Sequence, residues 1–466
     1  MLTEQLTDDT RMPDEVNIST QVKGIYGGPR GAAIAVLNRI ERSDAYLDKL
    51  LEIEMKASDL NDLDKGLFYE LVHGTIRWKM KLDWLLTGFF HGNFTKAETN
   101  IRNCLRVALY QLLFLHRIPH SAAVNEAVEF VNKQRGQKAA DMVNAILRNI
   151  IRNIEGLRYP EADQDLSHHL AVVYSHPIWM VRRWLKRHGE KNTRLLLEAL
   201  NQRGEITLRI NPLKIDIDHF LEILQKNNVT TTRSTYLPSF VKVRNLASVS
   251  DSDHYLKGYF TIQDESAGLA VQLLDPAPGE RVIDLCAAPG GKTSFIGEIM
   301  KNQGVIIAVD KYKTRAEQVS QLCKRLEIKN VEVAVGNAEE ISLEPADKVL
   351  VDAPCSGLGV ITKKPDIKWR RSPEDILQLV QIQKRLLENA ATLVKPNGIL
   401  VYSTCTMEPE ENRDQIVAFL DQHPNYQVDK LNGRFKGEIV SDDAIVTYPH
   451  EHLMDGSFSI RLRRRF

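Results

Sequence analysis

The residues most able to do chemistry in this chain are cysteines placed just beyond apolar runs. In Val349-Leu-Val-Asp-Ala-Pro-Cys-Ser-Gly-Leu-Gly359 a strand-like run gives way to a loop holding Asp352 and Cys355. In Val401-Tyr-Ser-Thr-Cys-Thr-Met407 a second run ends on Cys405, and in Val282-Ile-Asp-Leu-Cys286 a third ends on Cys286. An ionised thiol is a strong nucleophile, the most reactive that a side chain offers near neutral pH. None of these cysteines has CxxC spacing, so neither zinc nor a redox disulfide is expected, and the site is read as metal-free. Nucleophilic addition is the better use. The competing reading, a small buried packing residue, suits any one cysteine better than two in equivalent loops.

The elements that position these residues read as a parallel α/β sheet. Val282-Ile-Asp-Leu-Cys-Ala-Ala-Pro-Gly-Gly-Lys-Thr293 runs from strand through a glycine turn into a helix. That layout lets backbone approach a nucleotide-like ligand at the carboxyl end of a strand. A triphosphate loop would need glycine five positions before Gly291, where Cys286 stands. Asp310 ends the next strand, Val305 to Val309, where an acid can accept from ribose hydroxyls; its alternative is a helix cap. Asn337, after Val331 to Val335, is placed to reach an adenine edge. Further strands read at Lys348 to Val351, Gly398 to Tyr402 and Phe458 to Leu462, with helices between most of them. Ser372-Pro-Glu-Asp375 has the capping serine, early proline and following acid of a helix start. The expected fold from residue 258 to 466 is therefore a Rossmann-like α/β domain, mostly parallel, with helices on both faces.

Upstream, residues 1–28 read as a mobile tail, polar and broken by glycine and proline. Residues 29–155 are all-α, with apolar helical stretches at Leu67 to Leu86, Ile101 to Leu115, Ala122 to Val131 and Ala139 to Ile150. The cations Arg77, Lys79, Lys81, Arg102 and Arg106 read equally as RNA contacts or as a solvated helix face. Residues 156–257 read as a linker followed by a small α/β subdomain, plausible for RNA recognition, with strands at Ile206 to Ile210 and Tyr236 to Val243. His168, His169 and His176 have no familiar metal spacing. The whole chain of 466 residues carries no net charge, five cysteines and no apolar run of membrane-spanning length. A cytoplasmic protein, with no membrane partner, is expected.

With these residues in view, the chain resembles the Nop/Sun family of RNA cytosine-5 methyltransferases. The resemblance rests on Asp352-Ala-Pro-Cys-Ser-Gly357, Thr404-Cys405, Asp284 to Thr293, Gln263-Asp-Glu-Ser-Ala267 and the basic loop Lys363 to Arg371. Glu70-Leu-Val-His-Gly-Thr-Ile-Arg77, Leu105 to Leu115, Ala123 to Val128 and Val143 to Asn149 resemble NusB-type RNA-binding helical domains. A NusB-like domain before such a catalytic domain resembles bacterial enzymes acting on 16S rRNA. The resemblance implies S-adenosylmethionine as cofactor, RNA (16S rRNA above all) as partner, and a monomer. It implies that Cys405 adds to cytosine C6, that Cys355 assists product release, and that Asp352 bonds the cytosine edge. It implies that Cys286, Ala287, Ala288, Pro289, Gly290, Gly291 and Lys292 line the cofactor's methionine side, with Asp310 on its ribose and Asp352 beside it. Asn337 stands where the family commonly has Asp, so its adenine contact departs from the pattern. The target base must leave its stack to reach a thiol in a crevice.

Two other classes remain at this point. In DNA cytosine-5 methylation the Pro-Cys cysteine would attack, and the Thr-Cys cysteine and the helical domain argue against it. An antitermination or ribosome-assembly factor with a silent methyltransferase fold would not need both cysteines.

Overall fold

The computed structural model describes residues 26–43, 45–244 and 252–466. Most of the expected tail lies outside the described residues, and Gly28, with Pro29 behind it, already opens a helix. The chain forms two compact units, Met1–Arg187 and His188–Phe466. Residues 156–187, expected with the linker and small subdomain, thus fall in the helical unit.

In that unit the apolar spacing produces helices Gly28–Arg42, Leu47–Ala57, Asp62–Arg77, Lys79–Phe89, Thr99–Phe114, His120–Arg135 and Gln137–Arg152. Thr99–Phe114 is the central one, buried continuously from Asn103 to Leu112. A helix buried along such a stretch must be surrounded by others, which this one is. The stretch Leu67 to Leu86, read as one helix, is two. Trp78 leaves helical geometry at φ −102°, ψ 15°, and the Met80 N–H just beyond it donates to Ser175 Oγ at 2.9 Å. His169 Nδ1 and His176 Nδ1 lie 2.6 and 2.7 Å from the Pro160 and Tyr174 carbonyls.

The cations of this unit have internal duties, so neither reading offered for them describes Arg102 or Arg106. Arg106 donates to Asp83 at 2.5 and 2.8 Å, to Asn103 at 2.8 Å and to Glu41. Arg102 donates to Glu41 at 2.6 Å and to the Thr95 and Ala97 carbonyls. Lys81 lies over the rings of Trp78, Phe114 and Tyr159.

In the second unit, β1 (Ile206–Ile210), β2 (Thr230–Arg233), β3 (Phe240–Arg244) and β4 (Phe260–Ile262) form an antiparallel sheet in the order β2-β3-β1-β4. Leu208, Ile210, Val241 and Val243 pack with Phe220 and Leu224 of the helix Ile217–Lys226. β4 carries this sheet past the expected boundary at residue 257.

The larger sheet comprises β5 (Arg281–Leu285), β6 (Val305–Asp310), β7 (Val331–Val335), β8 (Ala346–Asp352), β9 (Val394–Thr404), β10 (Tyr426–Val428), β11 (Val440–Ser441), β12 (Ala444–Thr447) and β13 (Ser457–Arg464). Its order is β11-β12-β13-β9-β8-β5-β6-β7, with β10 also paired to β13. The ladders joining β5 to β9 are parallel, as the apolar strand runs separated by helices require. Every ladder on the β13 side is antiparallel, so the sheet is mixed rather than mostly parallel. The order turns back at β5, with β6 on one side and β8 on the other, which opens a crevice at the carboxyl ends. Helices Gly291–Ile299 and Pro373–Thr392 flank the sheet, the latter opened by the expected reciprocal cap between Ser372 and Asp375.

Removing one member of a buried ion pair leaves the other charge without compensation. Arg106→Ala is expected to cost about 3 kcal/mol, read as a lowered urea midpoint by circular dichroism.

Candidate active site

The sequence-predicted residues lie at one edge of the larger sheet. Cys286 to Lys292 follow β5, Asp310 ends β6, Asn337 follows β7, Asp352 ends β8 ahead of Cys355, and Cys405 follows β9. The β5 turn needs backbone that most residues avoid. Gly290 has φ +104°, and a Cβ there would lie 3.1 Å from Val319 Cα. Cys286 itself is left-handed at φ +64°.

Asp310 and Asn337 both take part in shaping turns. The Asp310 carboxylate accepts from Ala288 N–H at 3.3 Å and from Tyr312 N–H at 3.2 Å, which fixes the glycine turn against the end of β6. Asn337 Nδ2 donates to Glu340 at 3.1 Å, and its Oδ1 accepts from Glu339 N–H at 3.4 Å. The amide thus uses both ends locally.

The thiols differ sharply. Burial, then the carboxylates of Asp352, Asp310 and Asp284, push the Cys286 thiol far above its ordinary range, which removes it as a nucleophile. Cys355 and Cys405 stand with their Sγ atoms 3.1 Å apart, and Cys405 N–H donates to Cys355 Sγ at 3.3 Å. The hydrogen bond with Cys405 and then burial hold the Cys355 thiol well above its usual pKa. Lys292 Nζ lies 2.6 Å from Asp352 Oδ2. Burial opposes its charge, but Asp352 above all, together with negative charge on Cys405 and Asp284, raises the ammonium. The site thus holds two paired sets of groups, Lys292 with Asp352 and Cys355 with Cys405, the group types that nucleophilic thiol chemistry uses.

The two cysteine loops meet closely. Gly359 N–H donates to the Cys405 carbonyl at 3.1 Å, and a Cβ on Gly359 would come within 1.9 Å of the Gly456 carbonyl oxygen. Only glycine lets these backbones approach so near.

Several residues here were not singled out from sequence. Asp284, fully buried, accepts from Thr293 Oγ1 at 2.6 Å, while its Oδ1 has no hydrogen-bond partner. Arg209 reaches from β1 to Ser294 at 2.8 Å, Glu298 at 3.0 Å and the Gly291 carbonyl at 2.6 Å, bracing the helix that follows the turn. Lys363, part of the basic loop, is bound to Asp264 and lies 2.9 Å from Asp455. Glu411 lies beneath both cysteine loops. Arg209 and Glu411 carry no local signal, since Ser294 and Glu298 stand 85 and 89 residues from Arg209, and Ser356 and Gln383 stand 55 and 28 from Glu411.

A glycine turn at the switch point of a mixed sheet, acids on the neighbouring strand ends and helices on both faces define a Rossmann-like methyltransferase domain, preceded by a NusB-type helical domain. Profiles of known families agree. The 16S rRNA methyltransferase RsmB/F profile matches residues 271–463, the NusB family 28–152, and an RsmF/B-like ferredoxin-like domain 176–250. A probable ribosomal RNA small subunit methyltransferase B of Bacillus subtilis (strain 168) is 36% identical across 94% of this chain and 98% of its own. One from Synechocystis sp. is 32% identical across 93% and 99%. The crystal structure of PH0851 superposes with a TM-score of 0.79 at 29% identity, covering 96% of this chain and 99% of that one. The chain belongs to the ribosomal RNA small subunit methyltransferase B family. No helix among the described residues is long and apolar enough to cross a membrane, and no three or more His, Cys, Asp or Glu side chains gather there as a metal site.

Burial raises the Asp284 carboxyl from 3.8 to about 7, against the bond from Thr293. The folded chain therefore holds this proton more tightly than the unfolded chain. Its contribution to stability is full below about pH 4 and is lost as pH rises toward about 7, on the order of 4 kcal/mol in all. Asp284→Asn is expected to raise the urea midpoint at about pH 8 and change it little at about pH 4. A midpoint lowered at both would mean that the ionised carboxylate is well compensated.

Proposed function

We propose that this protein methylates C5 of a cytosine in RNA, with 16S rRNA as its substrate, through a covalent adduct between Cys405 and cytosine C6. The observation that carries the reading is the 3.1 Å contact between the Cys355 and Cys405 thiols beside the Lys292–Asp352 pair. Relatives named for small-subunit rRNA methylation supply the substrate class.

The residues of the β5 turn fit S-adenosylmethionine. Asp284 presents a buried oxygen without a partner, and the side chains of Asp310 and Asp352 stand with it around the turn. Cys286 to Lys292 would hold the methionine portion, Asp310 the ribose and Asn337 the adenine edge. When bound, this cofactor supplies an electrophilic methyl group.

Cytosine C5 is a poor nucleophile, which is why a thiol is needed. Attack by the Cys405 thiolate forms the Sγ–C6 bond and moves the C5–C6 electron pair so that C5 becomes enamine-like. Asp352 bonds the amide-like edge of the ring and Lys292 holds Asp352 in place. After C5 has gained its methyl group, its proton passes to a base, the Sγ–C6 bond breaks and the Cys405 thiolate leaves. Cys355, kept protonated, can donate its S–H to that departing thiolate and so assists release.

Cys405→Ala is expected to abolish both methyl transfer and adduct. Cys355→Ala should accumulate an enzyme–RNA adduct that survives denaturing electrophoresis, because addition proceeds while elimination is slowed. An adduct that vanished with Cys355 and persisted without Cys405 would reverse the two roles.

A further inference from the structure

Glu411 is fully buried between the two cysteine loops, with no solvent to stabilise its charge. Its carboxylate accepts from Ser356 N–H at 2.7 Å and from Ser356 Oγ at 2.5 Å, directly after Cys355. Ser356 Oγ lies 2.7 Å from Thr406 Oγ1, directly after Cys405. One carboxylate and one hydroxyl thus span the residues that follow both thiols. Gln383 Nε2 completes the arrangement, donating to Glu411 and to the Pro354 carbonyl, each at 3.0 Å. Tyr402 Oη donates to the Glu411 carbonyl at 2.7 Å, fixing its backbone to β9. Apart from the Gln383–Glu411 bond, each of these bonds involves a neighbour of a cysteine or the strand that leads into Cys405.

We propose that Glu411 is a positioning residue for the two-thiol site: its buried carboxylate ties the Cys355 loop to the Cys405 loop at the spacing where one thiol donates to the other, and so fixes which of them attacks. This rests on the reading of Cys405 as the attacking thiol. The carboxylate lies on the Cys355 side, through Ser356, and its charge opposes a thiolate there. Lys292, paired with Asp352, is the cation of the site, and a negative charge on Cys405 supports its ammonium. Asp352 and Tyr402 also face this pair, and Arg371 closes the Cys355 loop by donating to the Ser356 carbonyl at 3.0 Å. Glu408 N–H donates to Thr406 Oγ1 at 3.3 Å. The Cys355 thiol, raised by its bond with Cys405 and by burial, keeps its proton.

The test reads each thiol separately, without RNA or turnover. The full chain is alkylated with iodoacetamide from about pH 6 to about pH 10, and the rate at each cysteine is followed by peptide mass spectrometry. The native protein should label Cys405 at least about tenfold faster than Cys355 at neutral pH, a ratio worth about one unit of thiol acidity. Glu411→Gln keeps the size and removes the charge. It should bring the two rates within about threefold and move Cys355 labelling to lower pH by about one unit, with S-adenosylmethionine affinity within about twofold of native. An unchanged ratio and pH profile in Glu411→Gln would overturn the proposal. Should that variant fail to fold, Ser356→Ala removes the hydroxyl bridge and leaves the carboxylate. It should reduce the ratio at least about threefold, and no change there overturns the tie. Trapping with an RNA containing 5-fluorocytidine, whose C5 has no proton to lose, tests the attacking thiol independently. No adduct on Cys405 of the native protein would sink the functional reading, and an unaltered labelling ratio would sink the role of Glu411.

Discussion

A charge withdrawn from water needs an opposite charge or a full set of hydrogen bonds, and in this molecule the partners come from far along the chain. Glu411 takes bonds from Ser356 and Gln383. Arg209 of the small sheet meets Glu298 of the helix after the glycine turn. Lys363 meets Asp264 and Asp455, drawing the basic loop, the entry to the catalytic domain and the approach to β13 to one point. Loops at strand tips have little order of their own. Here each reactive loop is joined to a rigid element by such a pair or network.

The parallel strands were legible because each is a short apolar run ended by a turn, the pattern that burial on both faces imposes. The placement of the candidate residues was legible for a related reason: a cysteine or acid at the end of an apolar run belongs to the carboxyl edge of a parallel sheet. β2, β10, β11 and β12 were harder to see. They are two to four residues long and lie outside the parallel core, where burial imposes no sustained apolar run. Glu411 could not be found at all from local pattern. In Glu408-Pro-Glu-Glu-Asn412 it looks like one acid among three on a solvated turn, and only the fold reveals that its side chain points inward.

The helical unit teaches the opposite lesson. A row of arginines and lysines on amphipathic helices suggests a surface for phosphates, yet Arg102 and Arg106 are consumed by Glu41, Asp83 and backbone carbonyls. Charge in a sequence is counted by residue, whereas charge available to a ligand is what remains after internal pairing. Asn337 carries a similar message. Its amide can both donate and accept, and the turn it sits in takes one bond of each kind, which leaves one N–H and one lone pair for a ligand.

The order of the sheet also bears on how the protein is made. β9 ends one residue before Cys405 and lies between β8 and β13, and β13 pairs with it over six residues from Phe458 to Arg463. β13 is synthesised some fifty residues after β9, so for that interval one side of β9 is an open edge with unpaired backbone groups. The strand before Cys405 is thus completed late. During translation the parallel half of the sheet can assemble while this border, and the thiol at its tip, await the returning antiparallel strand.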